Sequence, residues 1–192
     1  MTNYLIGVAL IILIWLVNGI CIIQGIKSRV RSEVYMHIGL GLFFSLVVLA
    51  SVWGKLKLLW QGHFGWLATI GLILYIPAFF LVLSSLVSLK HKGKARGADM
   101  TATTVLIRSG IYRLIRQPMT LGMAIWSIAL ILMLQSLVTL IIGTLAFLSF
   151  LQSARREGEM NKEKFGTAYQ DYIKKVPMWN FFKGLKNIKG KN

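Results

Sequence analysis

The sequence predicts an all-α integral membrane protein with about five transmembrane helices, and three observations support this class. Its mean hydropathy is +0.66 and only 15% of its residues are charged, against about 25% in an ordinary soluble domain. The charged residues are clustered between long apolar runs. Several of these runs contain roughly 18 or more uncharged residues, enough to cross the ~30 Å hydrocarbon core of a bilayer. The clustering decides the fold class.

Residues 1–89 are predicted to form the first of two regions, with three transmembrane helices. The apolar runs place these helices at about residues 4–26, 34–53 and 64–89. Pro77 lies within the third run and predicts a kink there, because proline has no N–H to donate to the preceding turn. No diagnostic motif occurs in this region.

Residues 90–192 are predicted to form the second region, a helical hairpin followed by a tail. Two apolar helices at about residues 119–134 and 137–153 are joined by the Gln-Ser dipeptide at 135–136. Each helix is short for a complete crossing, so the hairpin can be tilted or partly re-entrant. The tail, residues 178–192, mixes aromatic residues with lysines, which fits either an interfacial amphipathic segment or a solvated end.

The distribution of basic residues predicts the orientation. The chain carries 22 lysines and arginines against 6 acidic residues, a net charge of +16. With five crossings and the N-terminus outside, 20 of the basic residues lie on the cytoplasmic side and 2 outside, in agreement with the positive-inside rule. Trp53, Trp60 and Trp66 surround the second loop and are typical of an interfacial belt. Insertion and attraction to anionic headgroups at the cytoplasmic face explain the charge, which therefore does not indicate nucleic acid.

The sequence contains no metal-ligand pattern and no common catalytic motif of soluble enzymes. No histidine, cysteine or carboxylate cluster has the spacing of metal ligands, and the lone Cys21 excludes a thiolate cluster. A Gly-x-Ser-x-Gly elbow, a phosphate-cradling glycine-rich loop and a dinucleotide fingerprint are absent. The first three helices offer little polar material for a transporter beyond Asn18, Cys21 and Gln24. The candidate chemistry is therefore confined to residues 106–177.

Two segments on either side of the hairpin carry the candidate residues. Arg108, Arg113 and Arg116 precede an apolar helix. Arginines there can clamp a carboxylate or phosphate or, alternatively, snorkel to headgroups as anchors. Glu157 and Glu159 follow the hairpin, which returns the chain to the side that it left. Arginines and carboxylates that converge at one membrane face can hold a zwitterionic ligand, and ordinary solvated surface charge is the alternative.

The joint order of motifs in these segments resembles a known family. The order is Gly-x-Tyr-x-x-x-Arg-x-Pro-x-x-x-Gly, a two-helix hairpin, an acidic stretch, Phe-Gly-x-x-Tyr-x-x-Tyr and Val-Pro. It is similar to the isoprenylcysteine carboxyl methyltransferase and phospholipid methyltransferase superfamily, and it covers about 70 of the 192 residues. The matching residues are Gly110, Tyr112, Arg116, Pro118, Gly122, Glu157, Phe165, Gly166, Tyr169, Tyr172, Val176 and Pro177.

The resemblance implies a cytoplasmic cofactor pocket formed by the C-terminal half, and methyl transfer from S-adenosylmethionine. The acceptor would be a carboxylate, amine or hydroxyl on a lipid-linked or membrane-embedded small substrate. Carried over residue by residue, the catalytic residues are Arg116, Glu157 and Glu159. The cofactor-binding residues are Tyr112, Arg116, Gln117, Pro118, Gly122, Glu157 and Tyr169. The small size and the helix count are similar to prokaryotic members, which implies a location in the inner or plasma membrane.

The sequence departs from the family pattern at three positions. The usual Arg-His-Pro-x-Tyr has Gln117 in place of the histidine and Thr120 in place of the tyrosine, and the usual Glu-Glu pair reads Glu157-Gly158. Glu159, one position later, is the candidate replacement for the second carboxylate. One alternative is therefore a non-catalytic membrane subunit that binds anionic lipid or a protein partner. A second alternative is a relative of the membrane sterol reductases, which use NADPH.

Overall fold

The structure of the chain is a computed structural model that describes residues 2–53, 64–93 and 103–189. These residues form six α-helices and one short 3₁₀ helix, and none of them forms a strand. The α-helices are α1 (Thr2–Lys27), α2 (Arg31–Trp53), α3 (Gly65–Lys92), α4 (Pro118–Leu134), α5 (Leu137–Lys175) and α6 (Phe181–Lys189), and the 3₁₀ helix is Gly110–Arg113. Several residues used to predict the orientation lie outside the described ranges, namely Lys55, Lys57, Trp60, Lys94, Arg96 and Lys191.

In the described part of the chain, α1, α2, α3 and α5 are long and apolar enough to cross a membrane, and α4 is a shorter apolar helix of 17 residues. Many of their large apolar side chains point away from the protein. On α1, for example, Leu5, Leu13 and Leu16 are each more than half exposed. Such surfaces are stable against lipid, because water disfavours their exposure. The protein is therefore an all-α integral membrane protein, as the sequence predicts.

The long helices pack side by side in the order α1, α2, α5, α4, α3. A glycine permits the close contact of α3 with α4, since a β-carbon on Gly122 would lie 2.7 Å from Val82 Cγ2 and 2.9 Å from the carbonyl oxygen of Ala78. The main buried core lies between α2, α4 and α5 and consists of Phe43, Leu46, Ala124, Leu130, Ala146 and Phe150. The two helices that carry the motif segments, α4 and α5, therefore lie inside the array.

The connection between α4 and α5 lies at the predicted Gln-Ser junction. Gln135 has the left-handed backbone conformation (φ 44°) that ends many helices. Ser136 begins α5 with a capping box, in which its hydroxyl accepts a hydrogen bond from the Thr139 N–H at 3.2 Å. The Gln135 side chain also hydrogen-bonds the backbone N–H and carbonyl of Phe64, at 2.8 and 2.9 Å. The hairpin is thus tied to the start of α3.

Helix α5 extends well beyond the predicted helix end near residue 153. With 39 residues it would be about 58 Å long if straight, roughly twice the thickness of the hydrocarbon core. Its apolar part ends at Leu151, and the charged residues that follow place its second half outside the membrane-spanning segment. Gly166 interrupts the helix with φ 53° and ψ −130°, a conformation that is strained for residues other than glycine. The chain turns there toward the start of α4.

Helix α6 packs on the segment between the 3₁₀ helix and α4. A β-carbon on Gly184 would collide with the carbonyl oxygen of Leu114, so the two backbones come together only because residue 184 is glycine. Asn187 Nδ2 donates a hydrogen bond to the carbonyl oxygen of Lys175 at 2.8 Å. Phe182, on the outer side, is 81% exposed. The described part of the tail therefore contains a docked helix with an exposed aromatic side, which favours the interfacial alternative over a solvated end.

Candidate functional site

The two motif segments meet beyond the apolar helices through hydrogen bonds to backbone carbonyl oxygens. The N–H of Arg116 donates to the carbonyl oxygen of Pro177 at 3.0 Å. The hydroxyl of Tyr172 donates to the carbonyl oxygen of Tyr112, 60 positions earlier in the chain. These bonds hold the segment that precedes α4 against the end of α5. The hairpin therefore brings the two segments to one side, as the sequence predicts.

Four buried polar atoms in this region have no hydrogen-bond partner among the residues that the structure describes. They are Nε of Arg116, Nε2 and Oε1 of Gln117, and the hydroxyl oxygen of Tyr169. Gln117 is 4% exposed and Tyr169 is 2% exposed. Leaving a buried polar group without a partner costs about 1–3 kcal/mol, and folded proteins rarely keep several such groups. A polar ligand would remove this cost. We refer to Arg116, Gln117 and Tyr169 as the unpaired cluster.

Tyr169 lies on α5 after the break at Gly166 and is the third member of the unpaired cluster. Burial raises the pKa of its hydroxyl, and the positive charge of Arg116 opposes this rise. Arg116 and Asn161 both lie near the hydroxyl, but neither forms a hydrogen bond of normal geometry with it. The hydroxyl therefore remains available to a ligand.

Glu157 supplies the carboxylate of the site, on α5 just beyond its apolar part. Burial raises the pKa of the Glu157 carboxyl from 4.5 to about 7, and a hydrogen bond with the Asn161 side chain acts in the opposite direction. Burial also raises the pKa values of Tyr112 and Tyr169, and the charge of Glu157 adds to both shifts. Both tyrosines therefore lie near Glu157. Near pH 7 its carboxyl is divided between the neutral and ionised forms.

The structure does not bring Glu159 into this group. Its carboxylate accepts a hydrogen bond from Arg156 Nη1 at 2.8 Å, and its side chain is 58% exposed. Two positions along an α-helix correspond to a rotation of about 200°, so Glu157 and Glu159 point in nearly opposite directions. Glu159 therefore lies in a surface ion pair and does not replace the family's second carboxylate, whose position is occupied here by Gly158.

Three further motif residues have structural roles at the start of α4. Pro118 is its first residue, where proline fits because the missing N–H has no helical partner to lose. Gly122 faces α3 and permits the contact between the helices rather than lining the unpaired cluster. Thr120, at the position of the motif's tyrosine, accepts a hydrogen bond from Trp179 Nε1 at 3.2 Å and donates one to the Gln117 carbonyl oxygen at 3.1 Å. These contacts fix the backbone that carries Gln117.

Three residues near the site were not singled out from the sequence. Asn161 follows Glu157 by four positions, so helical periodicity alone puts both on one face of α5. Ser85 of α3 hydrogen-bonds the Tyr112 side chain, and Trp179 bonds Thr120. The last two come from elements remote in sequence, and no local pattern indicates them.

The site as a whole combines hydrogen-bond donors with a carboxyl group that can be neutral or ionised near pH 7. Arg116, Gln117 and Tyr169 offer N–H and O–H donors, and Glu157 offers carboxylate oxygens. Such a set suits a small zwitterion that carries a carboxylate and an ammonium group. Among the described residues, no group of three or more His, Cys, Asp or Glu could hold a metal ion.

Comparison with known proteins identifies the family. A family model described as phospholipid methyltransferase matches residues 66–168, more than half of the chain. The match includes Arg116, Gln117 and Glu157, and it stops one residue before Tyr169. A search of curated proteins and a search of solved structures each found no match. The family match confirms the resemblance seen in the motifs, and the chain therefore belongs to the phospholipid methyltransferase family.

Proposed function

We propose that this protein transfers a methyl group from S-adenosylmethionine to a small acceptor on a lipid or lipid-linked molecule. Membership of the family supports methyl transfer in a membrane. The observation that carries the proposal for this chain is the unpaired cluster, because four buried polar atoms without partners lie there. The raised pKa of Glu157 adds a carboxyl group that a bound cation can ionise.

The residues present fit the amino-acid end of S-adenosylmethionine, which carries a carboxylate and an ammonium group. Arg116 Nε, Gln117 Nε2 and the Tyr169 hydroxyl can donate hydrogen bonds to the carboxylate. Glu157 can accept from the ammonium group, and a cation beside it favours its ionised form. When bound, the cofactor supplies an electrophilic methyl group on a sulfonium sulfur.

The protein residues contribute alignment, exclusion of water and proton transfer. Methyl transfer needs the acceptor atom, the methyl carbon and the sulfur in line. Burial of Tyr112 and Tyr169 around Glu157 supports a pocket with little water. A carboxylate acceptor needs no base at neutral pH. An amine or hydroxyl acceptor must lose a proton, which a carboxylate near the acceptor can receive.

We also propose that the site faces the cytoplasm of a prokaryotic cell, with the N-terminus outside and the membrane being the inner or plasma membrane. The basic residues that flank the helices support this orientation through the positive-inside rule. The lipid-borne acceptor would approach laterally from the bilayer. The outward face of α5 supports this route, because Leu140, Ile141 and Leu145 are each about half exposed.

A methyl-transfer assay tests the proposal. Membranes that contain the protein are incubated with methyl-labelled S-adenosylmethionine, and the lipid fraction is extracted and counted. We expect label in the lipid fraction with the wild-type protein and with Arg156→Ala, a matched control because Arg156 lies in the surface pair with Glu159. We expect loss of label with Arg116→Ala and with Glu157→Ala. Equal labelling by all four proteins would contradict the proposed site.

The competing hypotheses predict different ligands. A non-catalytic subunit would transfer no label and would bind neither S-adenosylmethionine nor S-adenosylhomocysteine. A reductase relative would consume NADPH, and the family match favours methyl transfer over this reading. Gln117→His restores the histidine of the family motif. Faster transfer by this variant would indicate that the wild-type sequence has lost part of an ancestral activity.

A further inference from the structure

A separate groove lies between the 3₁₀ helix, the end of α5 and α6. Its volume is about 400 Å³, within the range of about 300–1,000 Å³ that is typical of small-molecule sites. Its lining includes Arg108, Arg113, Asp171, Tyr172, Lys175 and Asn187. We refer to it as the basic groove.

The basic groove is distinct from the candidate methyl-transfer site. None of Arg116, Gln117, Glu157 and Tyr169 lines it. Tyr172 connects the two regions, because it forms part of the groove and its ring centroid is 5.9 Å from that of Tyr169. The groove is therefore beside the methyl-transfer site, and the reaction proposed above does not use its charged residues.

The groove carries an excess of positive charge. Three of its lining residues are cations, Arg108, Arg113 and Lys175, and the lining carboxylate is Asp171. Asp171 already accepts a hydrogen bond from Lys174 Nζ at 3.0 Å, and this pairing holds the pKa of the Asp171 carboxyl below its usual value. Lys174 does not line the groove. Arg108 and Lys175 also act on the Asp171 carboxyl. Three cations therefore face one carboxylate that Lys174 also pairs, and the groove keeps an excess of positive charge.

Several contacts hold the walls of the basic groove in place. Arg108 Nη2 donates to the carbonyl oxygen of Ala168 at 2.5 Å, and the guanidinium carbon lies 6.0 Å from the centre of the Tyr172 ring. Asn187 fixes α6 to the end of α5 through the carbonyl oxygen of Lys175. A guanidinium held in this way loses little side-chain entropy when it binds an oxyanion.

From this charge and geometry we infer that the basic groove binds a phosphate group, carried either by a lipid headgroup or by a soluble compound. Guanidinium groups match phosphate oxygens in shape and charge, and lysine adds a further cation. The neighbouring helix α6 supports the lipid-borne form, because Phe181 and Phe182 are exposed on it beside Lys183. Exposed aromatic and basic side chains on one short helix favour contact with an anionic bilayer surface.

Binding to the purified full-length chain in a non-ionic detergent tests the inference. The probes are dihexanoyl phosphatidic acid, inorganic phosphate, and dihexanoyl glycerol, which has the same chains without phosphate. The test variant is Arg113→Gln/Lys175→Gln, since both side chains are exposed and their replacement leaves the Arg108 contacts intact. The matched control is Lys186→Gln, which removes an exposed cation of α6 that neither lines the groove nor acts on the Asp171 carboxyl. Thermal unfolding verifies that all three proteins are folded.

We expect a phosphate probe to bind the wild-type chain, and the double variant to weaken that binding about tenfold or more, because each charged hydrogen bond contributes strongly to affinity. Lys186→Gln should change the affinity about twofold or less, because the charge of an exposed lysine outside the groove is screened by solvent and salt. If phosphatidic acid binds and inorganic phosphate does not compete with it, the phosphate group is carried by a lipid. If phosphatidic acid and inorganic phosphate bind comparably, the phosphate group comes from a soluble compound. Failure of both phosphate probes to bind, binding of dihexanoyl glycerol as strong as that of phosphatidic acid, or equal weakening by Lys186→Gln and the double variant would overturn the inference.

Discussion

The hydroxyl oxygen of Tyr169 lies 3.8 Å from the point that a β-carbon would occupy on Gly158. In a straight helix these residues would be separated by about 16 Å along the axis, so the break at Gly166 brings them together. The family motif has a glutamate where this chain has Gly158. A side chain longer than alanine at that position would extend into the space of the Tyr169 hydroxyl. The glycine at position 158 therefore leaves the space in which the Tyr169 hydroxyl is buried.

Gly158→Leu is expected to lower the free energy of unfolding by about 1–3 kcal/mol, because the larger side chain overpacks the contact with Tyr169. Gly158→Ala is the matched control and should be neutral or slightly stabilising, since alanine is the better helix former and 3.8 Å is an ordinary contact. Thermal unfolding in detergent measures both. If Gly158→Leu were as stable as Gly158→Ala, the proximity of the two residues would be in doubt.

Tyr169→Phe is expected to retain or increase stability while weakening the binding of S-adenosylmethionine. The Tyr169 hydroxyl is buried without a partner, so its removal relieves an unsatisfied polar group and also removes a proposed ligand donor. Tyr172→Phe is the control. The Tyr172 hydroxyl donates to the carbonyl oxygen of Tyr112, and its loss should lower the free energy of unfolding by about 1 kcal/mol.

Thermal unfolding and calorimetric titration of the two tyrosine variants separate these effects. If the Tyr169 hydroxyl is a ligand donor, Tyr169→Phe changes the affinity for the cofactor more than it changes the free energy of unfolding. A Tyr169→Phe protein with reduced stability and normal affinity would mean that the hydroxyl has a structural partner instead of a ligand.

Gly166→Ala is expected to weaken cofactor binding although Gly166 lies away from the unpaired cluster. Its positive φ strains an L-residue by about 1–3 kcal/mol, and a shift of the backbone there would move Tyr169. The space around its β-carbon position is open, so any loss reports the backbone and not a clash. Gly19→Ala is the matched control, because its surroundings are equally open and its backbone is helical. Equal affinity of both variants would show that the break at Gly166 does not position Tyr169.

The stability of the folded protein is expected to fall as the pH rises from 5 to 8. Burial raises the pKa of Glu157 from 4.5 to about 7 in the folded state, so within that window the folded chain binds more protons than the unfolded chain. The free energy of unfolding therefore decreases with pH there, by an amount on the order of 3 kcal/mol. Glu157→Gln should remove this component, which thermal unfolding at pH 5 and pH 8 measures.

Glu159→Gln is the control for that pH series, because Glu159 is exposed and paired at the surface. We expect it to keep the wild-type pH dependence. A Glu157→Gln protein that loses stability with pH as steeply as the wild type would show that Glu157 is not buried in the folded state.

The membrane helices were predictable because an uninterrupted apolar run of sufficient length indicates a membrane-spanning helix. The structure places α1, α2 and α3 within a few residues of their predicted bounds. The end of α5 was not predictable in the same way. The Arg-Arg-Glu-Gly-Glu-Met run after residue 153 marks the end of the apolar segment but not of the helix, since most of these residues are good helix formers in water. The break at Gly166 depends on tertiary contacts of the residues that follow it.

The candidate site was predictable in part. The family resemblance named Arg116, Gln117 and Tyr169, and these residues carry the unpaired atoms. Helical periodicity disfavours Glu159 as a partner of Glu157, because residues two positions apart face different directions. The contact of Gly122 with α3 was not predictable, because the sequence of α4 does not reveal which helix packs against it.

Calorimetric titration of S-adenosylhomocysteine into the purified wild-type protein, Glu157→Gln and Glu159→Gln tests whether Glu157 holds the cofactor. The two variants make the same chemical change two positions apart, once beside the unpaired cluster and once in the surface pair with Arg156. We expect the wild type and Glu159→Gln to bind with similar affinity, and the affinity of Glu157→Gln to be lower by about tenfold or more. Equal affinity in all three proteins, or no binding to the wild type, would contradict this expectation.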